Sequence, residues 1–395
     1  MTDFGAPGAR AAAADLGPAL RSARLQFAAL GMLAGSWGAH IPSVKHAHGL
    51  SEAGLALVLL VVALGCVAAL TLAGRCVARL GTRGAAVLAA FAMTVTLASV
   101  LLVPAGASLL ATAFVLGAGM ALFDVCINTE GAALERLRGR PVMSRLHALW
   151  SVGAMAGALA AAALFGFDVA PRWQLAGLGL GVGTGTLMLA AAPGMRAAPA
   201  SVAAPMRWDW PSRPLLLIGG LIFAGMLAEG AMYDWSVLYL VQELGLPPAR
   251  AALGYAAFCV AMAVVRFGGD ALRERHAEPA LLRAGGLLAA LAMAGVLLAG
   301  SPALAWPGFA LVGAGLALVA PILYGAAARL AGASPAASSA SATSIGYLGL
   351  MLGPPLVGAI AQAVSLSAAL AVVVVAALTL TAAPWALRAG PPSGR

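Results

Sequence analysis

Charged residues are scarce in this sequence. Only 9% of its 395 residues are Asp, Glu, Lys or Arg, whereas 62% are hydrophobic and the mean hydropathy is +0.95. A soluble domain carries about 25% charged residues, so the composition excludes a soluble globular protein. No stretch is polar enough, over a sufficient length, to form a separate soluble domain.

Several functional signatures are missing as well. The four cysteines lie within or at the end of apolar runs, and neither they nor the five histidines have the spacing of metal ligands, so we expect no disulfide, no metal and no cofactor. No GxxxxGK[ST] loop is present, which argues against direct use of ATP. The first 20 residues lack a basic start followed by an apolar core, and we expect a tail there rather than a cleaved signal.

Apolar runs long enough to cross a bilayer recur along the whole chain. A transmembrane helix needs about 20 predominantly apolar residues, and twelve such runs can be counted. Their bounds are 22–44, 52–74, 84–103, 108–134, 144–167, 173–193, 214–241, 251–272, 280–300, 303–329, 338–363 and 366–388. The sequence therefore predicts an all-α integral membrane protein.

Arginine is concentrated in the segments on one side of the predicted membrane, from Arg21 and Arg24 to Arg388. The opposite side carries only Lys45, Arg172 and Arg250. Because basic residues accumulate in cytoplasmic loops, we expect both termini in the cytoplasm. This placement explains the net charge of +9 without a nucleic-acid partner.

A segment rich in Pro, Ala and Arg interrupts the apolar pattern near the middle of the chain. It predicts a cytoplasmic linker at 194–213 between two six-helix halves, 22–193 and 214–388, with cytoplasmic tails at 1–21 and 389–395.

The two halves also carry similar motifs. GAGMAL at Gly117 returns as GAGLAL at Gly313, 196 residues later. The same offset relates Gly153-x-x-x-Gly157 to Gly349-x-x-x-Gly353 and Trp37-Gly38 to Tyr233-Asp234. A parallel duplication of this kind is typical of transporters with a central site.

The fourth span carries polar residues that an apolar helix does not need. Asp124 lies about 4–5 Å from the centre of a ~30 Å hydrocarbon slab, and Asn128 follows one turn later. An ionised carboxylate at this depth costs several kcal/mol unless it faces water or a partner, so we predict that Asp124 carries a coupling proton. Glu130 is expected to pair instead with Arg145 or with the Arg136–Arg140 cluster.

The loop after the second span resembles the loop signature G-x-x-x-D-R-x-G-x-R of the major facilitator superfamily, with Ala78 in place of Asp. RFGGD from Arg266, followed by Arg273, is similar to its counterpart in the second half. The resemblance implies two pseudo-symmetric six-helix bundles in a bacterial inner membrane. It also implies a cytoplasmic gate at Arg79, Arg83, Asp270 and Arg273.

Four longer stretches are similar to the YbjJ-like branch, which is related to fucose–proton symporters: GSWGAHIPSVKHAHGLSEAGL, FDVCINTEG, SRLHALWSVGAMAG and EGAMYDWSVLYL. Those symporters carry a coupling Glu where this sequence has Asp124, and their Asn matches Asn128. Their span-one Asp corresponds to Gly38, so the resemblance implies only part of their proton-coupling scheme.

The seventh span holds two acids, Glu229 and Asp234, which lie about 140° apart on a regular helix. Both can face one cavity only if the helix breaks, and Gly230 is the expected position. We favour Glu229 as a second proton-coupling residue, and Asp234 as an outer gate or as a residue that holds a discontinuous helix. Either acid can instead simply cap a broken helix.

Further polar and aromatic side chains are expected at a central substrate cavity. They are Trp37, His40, Asn128, His147, Trp150, Tyr233, Asp234, Trp235 and Tyr347. Interfacial aromatic belts and ordinary interhelical hydrogen bonds are the alternatives for these residue types.

Together these patterns predict a secondary active transporter, not an enzyme, that moves a small molecule by proton-coupled alternating access as a monomer. One alternative is a proton-coupled exporter of amphipathic, drug-like compounds, although the Arg that such exporters carry in span four is replaced by Ala113. The other is a non-transporting membrane sensor, against which the acids at the midplane argue.

Overall fold

A computed structural model describes residues 16–139, 142–191, 212–329 and 335–388. The predicted C-terminal tail and most of the N-terminal tail and the central linker lie outside these residues. The regular elements within them are α1 Leu16–Ala47, α2 Glu52–Ser99, α3 Ala107–Arg138, α4 Met143–Gly166, α5 Pro171–Ala191, α6 Arg213–Gln242, α7 Pro248–Arg275, α8 Glu278–Ala299, α9 Pro302–Leu316, α10 Val319–Ala328, α11 Pro335–Ala363, α12 Leu366–Thr379, a 3₁₀ turn Leu380–Ala382 and α13 Ala383–Arg388.

Within the described residues, ten helical segments are long and apolar enough to cross a membrane. One of them is α2, whose 48 residues contain two predicted spans. The two are separated at Gly81, where φ is 70° and ψ is 164°. Glycine adopts this backbone conformation readily, and other residues do not. If α2 is counted as two spans and the 32-residue α1, which is not among the ten but covers the predicted span 22–44, is added, the number equals the twelve that the sequence predicts.

Acidic side chains hold several helix ends in place. The Glu135 carboxylate accepts hydrogen bonds from the backbone N–H groups of Val142 and Met143, at 2.7 and 3.0 Å. Glu243 does the same for Leu366 at 3.0 Å and joins α6 to the start of α12. A carboxylate at a helix N-terminus is favourable because it faces unpaired N–H groups and the positive end of the helix dipole.

Glycines bring α1 and α4 into backbone contact. A Cβ on Gly153 would lie 2.0 Å from the Ala28 carbonyl oxygen, and one on Gly31 would lie 1.9 Å from the Trp150 oxygen. Gly35 and Gly157 are equally tight against the opposite helix. Small residues four apart on facing helices allow this approach inside a membrane.

A second glycine contact occurs in both halves. A Cβ on Gly117 would lie 2.0 Å from the Val62 oxygen, and one on Gly313 would lie 2.3 Å from the Phe258 oxygen. Phe258 follows Val62 by the same 196 residues that separate the two glycines. The sequence repeat therefore corresponds to the same packing contact in each half.

The two halves meet closely at the end of the bundle that carries Lys45. The Ala53 N–H donates to Gln362 Oε1 at 3.4 Å, and a Cβ on Gly358 would lie 2.2 Å from the Ala56 Cβ. Lys45 pairs with Glu52 beside this contact. The opposite end of the bundle, which carries Arg273 and Arg275, is called the arginine-rich end below.

We expect Gly153→Ala to lower the thermal unfolding midpoint of the purified protein, because the added methyl group forces α1 and α4 apart. Gly177→Ala is the matched control, since Gly177 is an exposed helical glycine with no atom within 4 Å of an added Cβ. The control should be neutral or stabilising, since Ala exceeds Gly in helix propensity by about 1 kcal/mol. Equal midpoints for the two variants would contradict the close α1–α4 contact.

Candidate functional site

A cavity of about 170 Å³ lies between the two halves and is called the aromatic cavity. Four aromatic side chains and one charged residue, Asp234, contribute to its wall. The lining residues are Ala34, Trp37, Gly38, Leu59, Val62, Ala63, Cys66, Met120 and Trp150 from the first half, and Gly230, Tyr233, Asp234, Tyr255, Leu350 and Pro354 from the second.

Tyr233 organises the aromatic part of this wall. Its ring packs edge-on against Trp150, with centroids 5.9 Å apart, and against Phe258 at 5.4 Å. Tyr255 lies 5.8 Å away at a tilted angle. Such rings hold one another in fixed orientations and so give the cavity a defined shape.

Tyr255 also occupies the space beside Gly38. A Cβ on Gly38 would lie 2.8 Å from the Tyr255 ring. The position where the fucose-type resemblance implies an Asp is therefore filled by a tyrosine from the second half.

Glu229 forms an ion pair with Arg266 next to the aromatic cavity. Arg266 Nη2 lies 3.1 Å from Glu229 Oε1, and the same oxygen accepts a hydrogen bond from Tyr233 Oη at 3.0 Å. Arg266 Nη1 donates to Ser151 Oγ at 3.2 Å across the two halves, and Nε donates to the Ala317 carbonyl at 3.3 Å. The two charged side chains are only 14–15% exposed, so each depends on the other for compensation.

The expected break in the seventh span is wrong. Helix α6 runs from Arg213 to Gln242 without interruption, so Gly230 does not redirect the chain. Glu229 and Asp234 consequently point in different directions, the first toward Arg266 and the second into the aromatic cavity.

Asp124 lies in the interior of α3, close to the aromatic cavity. The Asn128 amide donates to the Asp124 carbonyl oxygen at 2.8 Å. The thiol of Cys66, a residue of the cavity wall, lies within electrostatic range of both Asp124 and Asp234, and Tyr347 lies within the same range of Asp124. Asp124 and Tyr347 thus lie near Cys66 of the cavity wall, although neither they nor Asn128 line the aromatic cavity.

A second cavity, of about 380 Å³, opens toward the arginine-rich end and is called the arginine cavity. His147 and Arg266 line its inner part, and Asp270 and Arg273 line its outer part. The His147 ring packs edge-on against Phe27 at 5.3 Å. Because Tyr233 belongs to the aromatic cavity and Arg266 to the arginine cavity, Glu229 bonds to the walls of both.

Five of the residues expected at a central cavity do not line the aromatic cavity, namely His40, Asn128, His147, Trp235 and Tyr347. His40 is fully buried beside Phe165, with its ring nitrogens 2.8 Å from the Ser36 carbonyl oxygen and 3.1 Å from Gln174 Oε1. Trp235 is fully buried and packs near Gly358 of α11. Both contribute to helix packing rather than to the aromatic cavity.

Glu130 does not form the expected pair with Arg145. Its side chain is 2% exposed, and neither carboxylate oxygen has a hydrogen-bond partner among the residues that the structure describes. Arg145 is exposed, and Arg140 lies outside the described residues. Glu130 therefore faces the interior of the first half and not the basic turn.

At the arginine-rich end, Arg273 is held mainly by Glu278. Its Nη2 and Nε lie 2.6 and 3.1 Å from Glu278 Oε1, and Arg329 bonds the other carboxylate oxygen at 2.6 Å. Asp270 is 70% exposed and 4.0 Å from Arg273. In the described part of the chain, the exposed Arg79 and Arg83 form no ion pair.

The geometry can be compared with known proteins. A profile of the Major Facilitator Superfamily matches residues 25–347, which is most of the chain. The chain belongs to the major facilitator superfamily. It is therefore a multi-pass membrane transporter with a small-molecule substrate, not an enzyme.

Relatives within the superfamily agree with this assignment. An uncharacterized MFS-type transporter of Yersinia pestis is 33% identical over 93% of this chain and 95% of its own length. Among solved structures, a mutant form of the nucleoside transporter NupG has a TM-score of 0.73 at 14% identity, covering 94% of this chain and 99% of that one. A mutant form of the Escherichia coli fucose:proton symporter FucP has a TM-score of 0.62 at 14% identity, covering 93% and 99%. These structures support the superfamily's all-α fold.

Sequence reasoning did not find two partners that the transporter's structure reveals. Arg266 was assigned to a loop motif, yet it lies nine residues before Arg275 at the end of α7 and thus deep in the helix. A cation at that depth in a membrane requires an acidic partner. The depth of Arg266 in the span could therefore have predicted its pairing with Glu229. Glu278 gave a weaker signal, as an acid in the first turn of α8.

We expect Glu278→Gln to lower the unfolding midpoint more than Asp270→Asn does. Glu278 holds two arginines at 2.6 Å, whereas the exposed pair of Asp270 with Arg273 should contribute at most about 1 kcal/mol. Thermal unfolding of the purified variants in the same detergent measures both changes. A larger loss for Asp270→Asn would instead favour the aspartate as the anchor of Arg273.

The Glu229–Arg266 pair predicts strong non-additivity. Arg266→Gln or Glu229→Gln alone leaves a buried charge without a partner, which costs about 3–5 kcal/mol. The double variant removes both charges and should be more stable than either single variant. Ser151→Ala is the control, because it removes only the hydrogen bond across the halves and should cost about 1 kcal/mol. Additive losses would show that the two charges do not compensate each other.

Proposed function

We propose that this transporter moves a small molecule across a bacterial inner membrane by proton-coupled alternating access, with Asp124 and Glu229 as the proton-carrying residues. In this proposal two halves, 22–193 and 214–388, rock about the aromatic cavity. Both termini and the linker at 194–213 are cytoplasmic, as the arginine distribution favours. Arg79, Arg83, Asp270 and Arg273 form the cytoplasmic gate, and the protein acts as a monomer.

The position of Glu229 between the two cavities is the observation that carries this proposal. One carboxylate oxygen bonds both Tyr233 of the aromatic cavity and Arg266 of the arginine cavity. Protonation neutralises that oxygen and weakens its ion pair with Arg266. Arg266 also donates a hydrogen bond to Ser151 of the other half. A shift of Arg266 therefore changes a contact between the two halves.

Asp124 supplies the second proton position. It lies in an apolar helix near the predicted midplane and forms no ion pair with any described residue. Burial without a counter-charge favours the neutral carboxyl, and access to water favours the ionised one. If Asp124 is exposed to water first on one side of the membrane and then on the other, its carboxyl group takes up a proton on one side and releases it on the other. A fold neighbour, the fucose:proton symporter FucP, is a proton-coupled transporter, which supports this proposal.

The size of the aromatic cavity argues against export of drug-like compounds. Pockets for such ligands are about 300–1,000 Å³, whereas this one is about 170 Å³. The chain also lacks an arginine at Ala113, where drug exporters of the superfamily carry one. A substrate with few atoms fits better.

We expect Asp124→Asn to abolish accumulation driven by a pH gradient while substrate binding and substrate exchange persist. The isosteric amide keeps the shape of the side chain but cannot carry the proton. A metabolite screen by thermal stabilisation provides the substrate, and uptake and counterflow into proteoliposomes then measure the two activities. Glu274→Gln, an exposed charge change on α7, is the matched control and should accumulate substrate normally.

Glu229→Gln should likewise lose gradient-driven accumulation. A well-folded Asp124→Asn protein that still concentrates substrate with a proton gradient would remove Asp124 from the coupling scheme.

A further inference from the structure

Asp234 differs from the other acid of α6 because its charge is not compensated. Glu229 has Arg266 and Tyr233, whereas the Asp234 carboxylate has no hydrogen bond or ion pair with any described residue. The carboxylate lies in the wall of a cavity between the halves rather than in packed protein. An isolated carboxylate in such a place costs several kcal/mol unless something positive binds beside it.

We propose that the aromatic cavity binds a small organic cation, a protonated amine whose ammonium group contacts the Asp234 carboxylate. This inference rests on the proposed transport function and names the substrate class of the same cavity. Asp234 then acts as a specificity-determining residue, not only as an outer gate.

The aromatic wall suits a cation. Trp37, Trp150, Tyr233 and Tyr255 line the same cavity as Asp234. A cation over an aromatic face gains about 0.5–2 kcal/mol, and more when it is desolvated. No basic side chain lines this cavity in the described part of the chain, because Arg266 faces the arginine cavity and is neutralised by Glu229. An anionic substrate would meet only the charge of Asp234 and be repelled.

The lining disfavours a neutral, hydroxyl-rich substrate. Among the described lining residues there is no Asn, Gln, Ser or Thr. The Tyr233 hydroxyl already donates to Glu229, and the Cys66 thiol donates to the Gly117 carbonyl at 3.2 Å. The other polar side-chain groups of the described lining, besides Asp234, are the Tyr255 hydroxyl and the indole N–H groups of Trp37 and Trp150. Each substrate hydroxyl left without a partner costs about 1–3 kcal/mol. An amine requires one carboxylate and apolar or aromatic surface, which is what the cavity offers.

The volume limits the cation to one ring or a compact chain. An engineered apolar cavity of about 150 Å³ holds benzene, and the aromatic cavity is about 170 Å³. A six-membered ring with one amino group is therefore a suitable probe. Cyclohexylammonium, cyclohexanol and cyclohexanecarboxylate share this ring and differ mainly in charge.

The experiment compares these three probes on purified full-length protein in nanodiscs near neutral pH. Binding is followed by thermal stabilisation and by tryptophan fluorescence, with empty nanodiscs as the correction for partition into lipid. We expect cyclohexylammonium to bind at least about tenfold more tightly than cyclohexanol, and cyclohexanecarboxylate not to bind. Equal binding of the ammonium and the alcohol would overturn the proposal, as would binding of the carboxylate alone.

Variants assign the preference to the cavity. Asp234→Asn should reduce the ratio of ammonium to alcohol affinity to near one while cyclohexanol still binds, which shows that the cavity remains folded. Trp150→Leu should weaken ammonium binding more than Trp150→Phe, because Phe keeps an aromatic face. Glu274→Gln should leave the ratio unchanged. If Asp234→Asn keeps the ammonium preference, or if Asp234 serves a proton only and the wild type shows no preference, the inference is wrong.

The outcome is separable from that of the proposed transport function. An ammonium preference without pH-gradient-driven uptake would overturn proton coupling and leave the cation site intact. Proton-driven accumulation of a neutral or anionic compound, without ammonium preference, would overturn the cation site alone.

Discussion

Inside a membrane, a charged side chain is stable only beside an opposite charge or water, and the Glu229–Arg266 pair is where this fold meets that requirement. Arg266 uses three nitrogens on three different elements, namely Glu229 on α6, Ser151 on α4 and the Ala317 carbonyl after α9. Tyr233 adds a hydrogen bond to the carboxylate. One ion pair therefore links the helices that surround the two cavities.

The same requirement explains why two acids five residues apart have different surroundings. On the unbroken helix α6 their side chains are rotated by about 140°, so Glu229 reaches Arg266 while Asp234 faces the aromatic cavity. Arg266 compensates the charge of Glu229 within the protein, whereas the charge of Asp234 is available to a cationic substrate in the aromatic cavity. A regular helix with two acids at this spacing can thus serve two cavities without a break in its backbone.

Hydropathy and repeat spacing predicted the twelve spans and the duplication, because both depend on local composition that any membrane imposes. The choice of partners was not predictable in this way. Arg273 binds Glu278 rather than Asp270, His40 binds Gln174 of α5, and Glu130 does not reach Arg145. Each choice depends on how separate helices are placed, which sequence distance does not encode. The break expected at Gly230 is absent, and a single glycine inside a helix costs only about 1 kcal/mol.

Every ion pair among the described residues lies within one half of the transporter. Lys45 and Glu52 belong to the first half, whereas Glu229, Arg266, Asp270, Arg273, Glu278 and Arg329 belong to the second. Across the halves, the described contacts include hydrogen bonds such as Arg266 to Ser151, the aromatic contact of Tyr233 with Trp150, and small-residue packing such as Gly358 against Ala56. Separating two charges in a membrane costs several kcal/mol, whereas a net hydrogen bond contributes about 1 kcal/mol. The motion that we propose for the halves therefore requires no ion pair among the described residues to be broken.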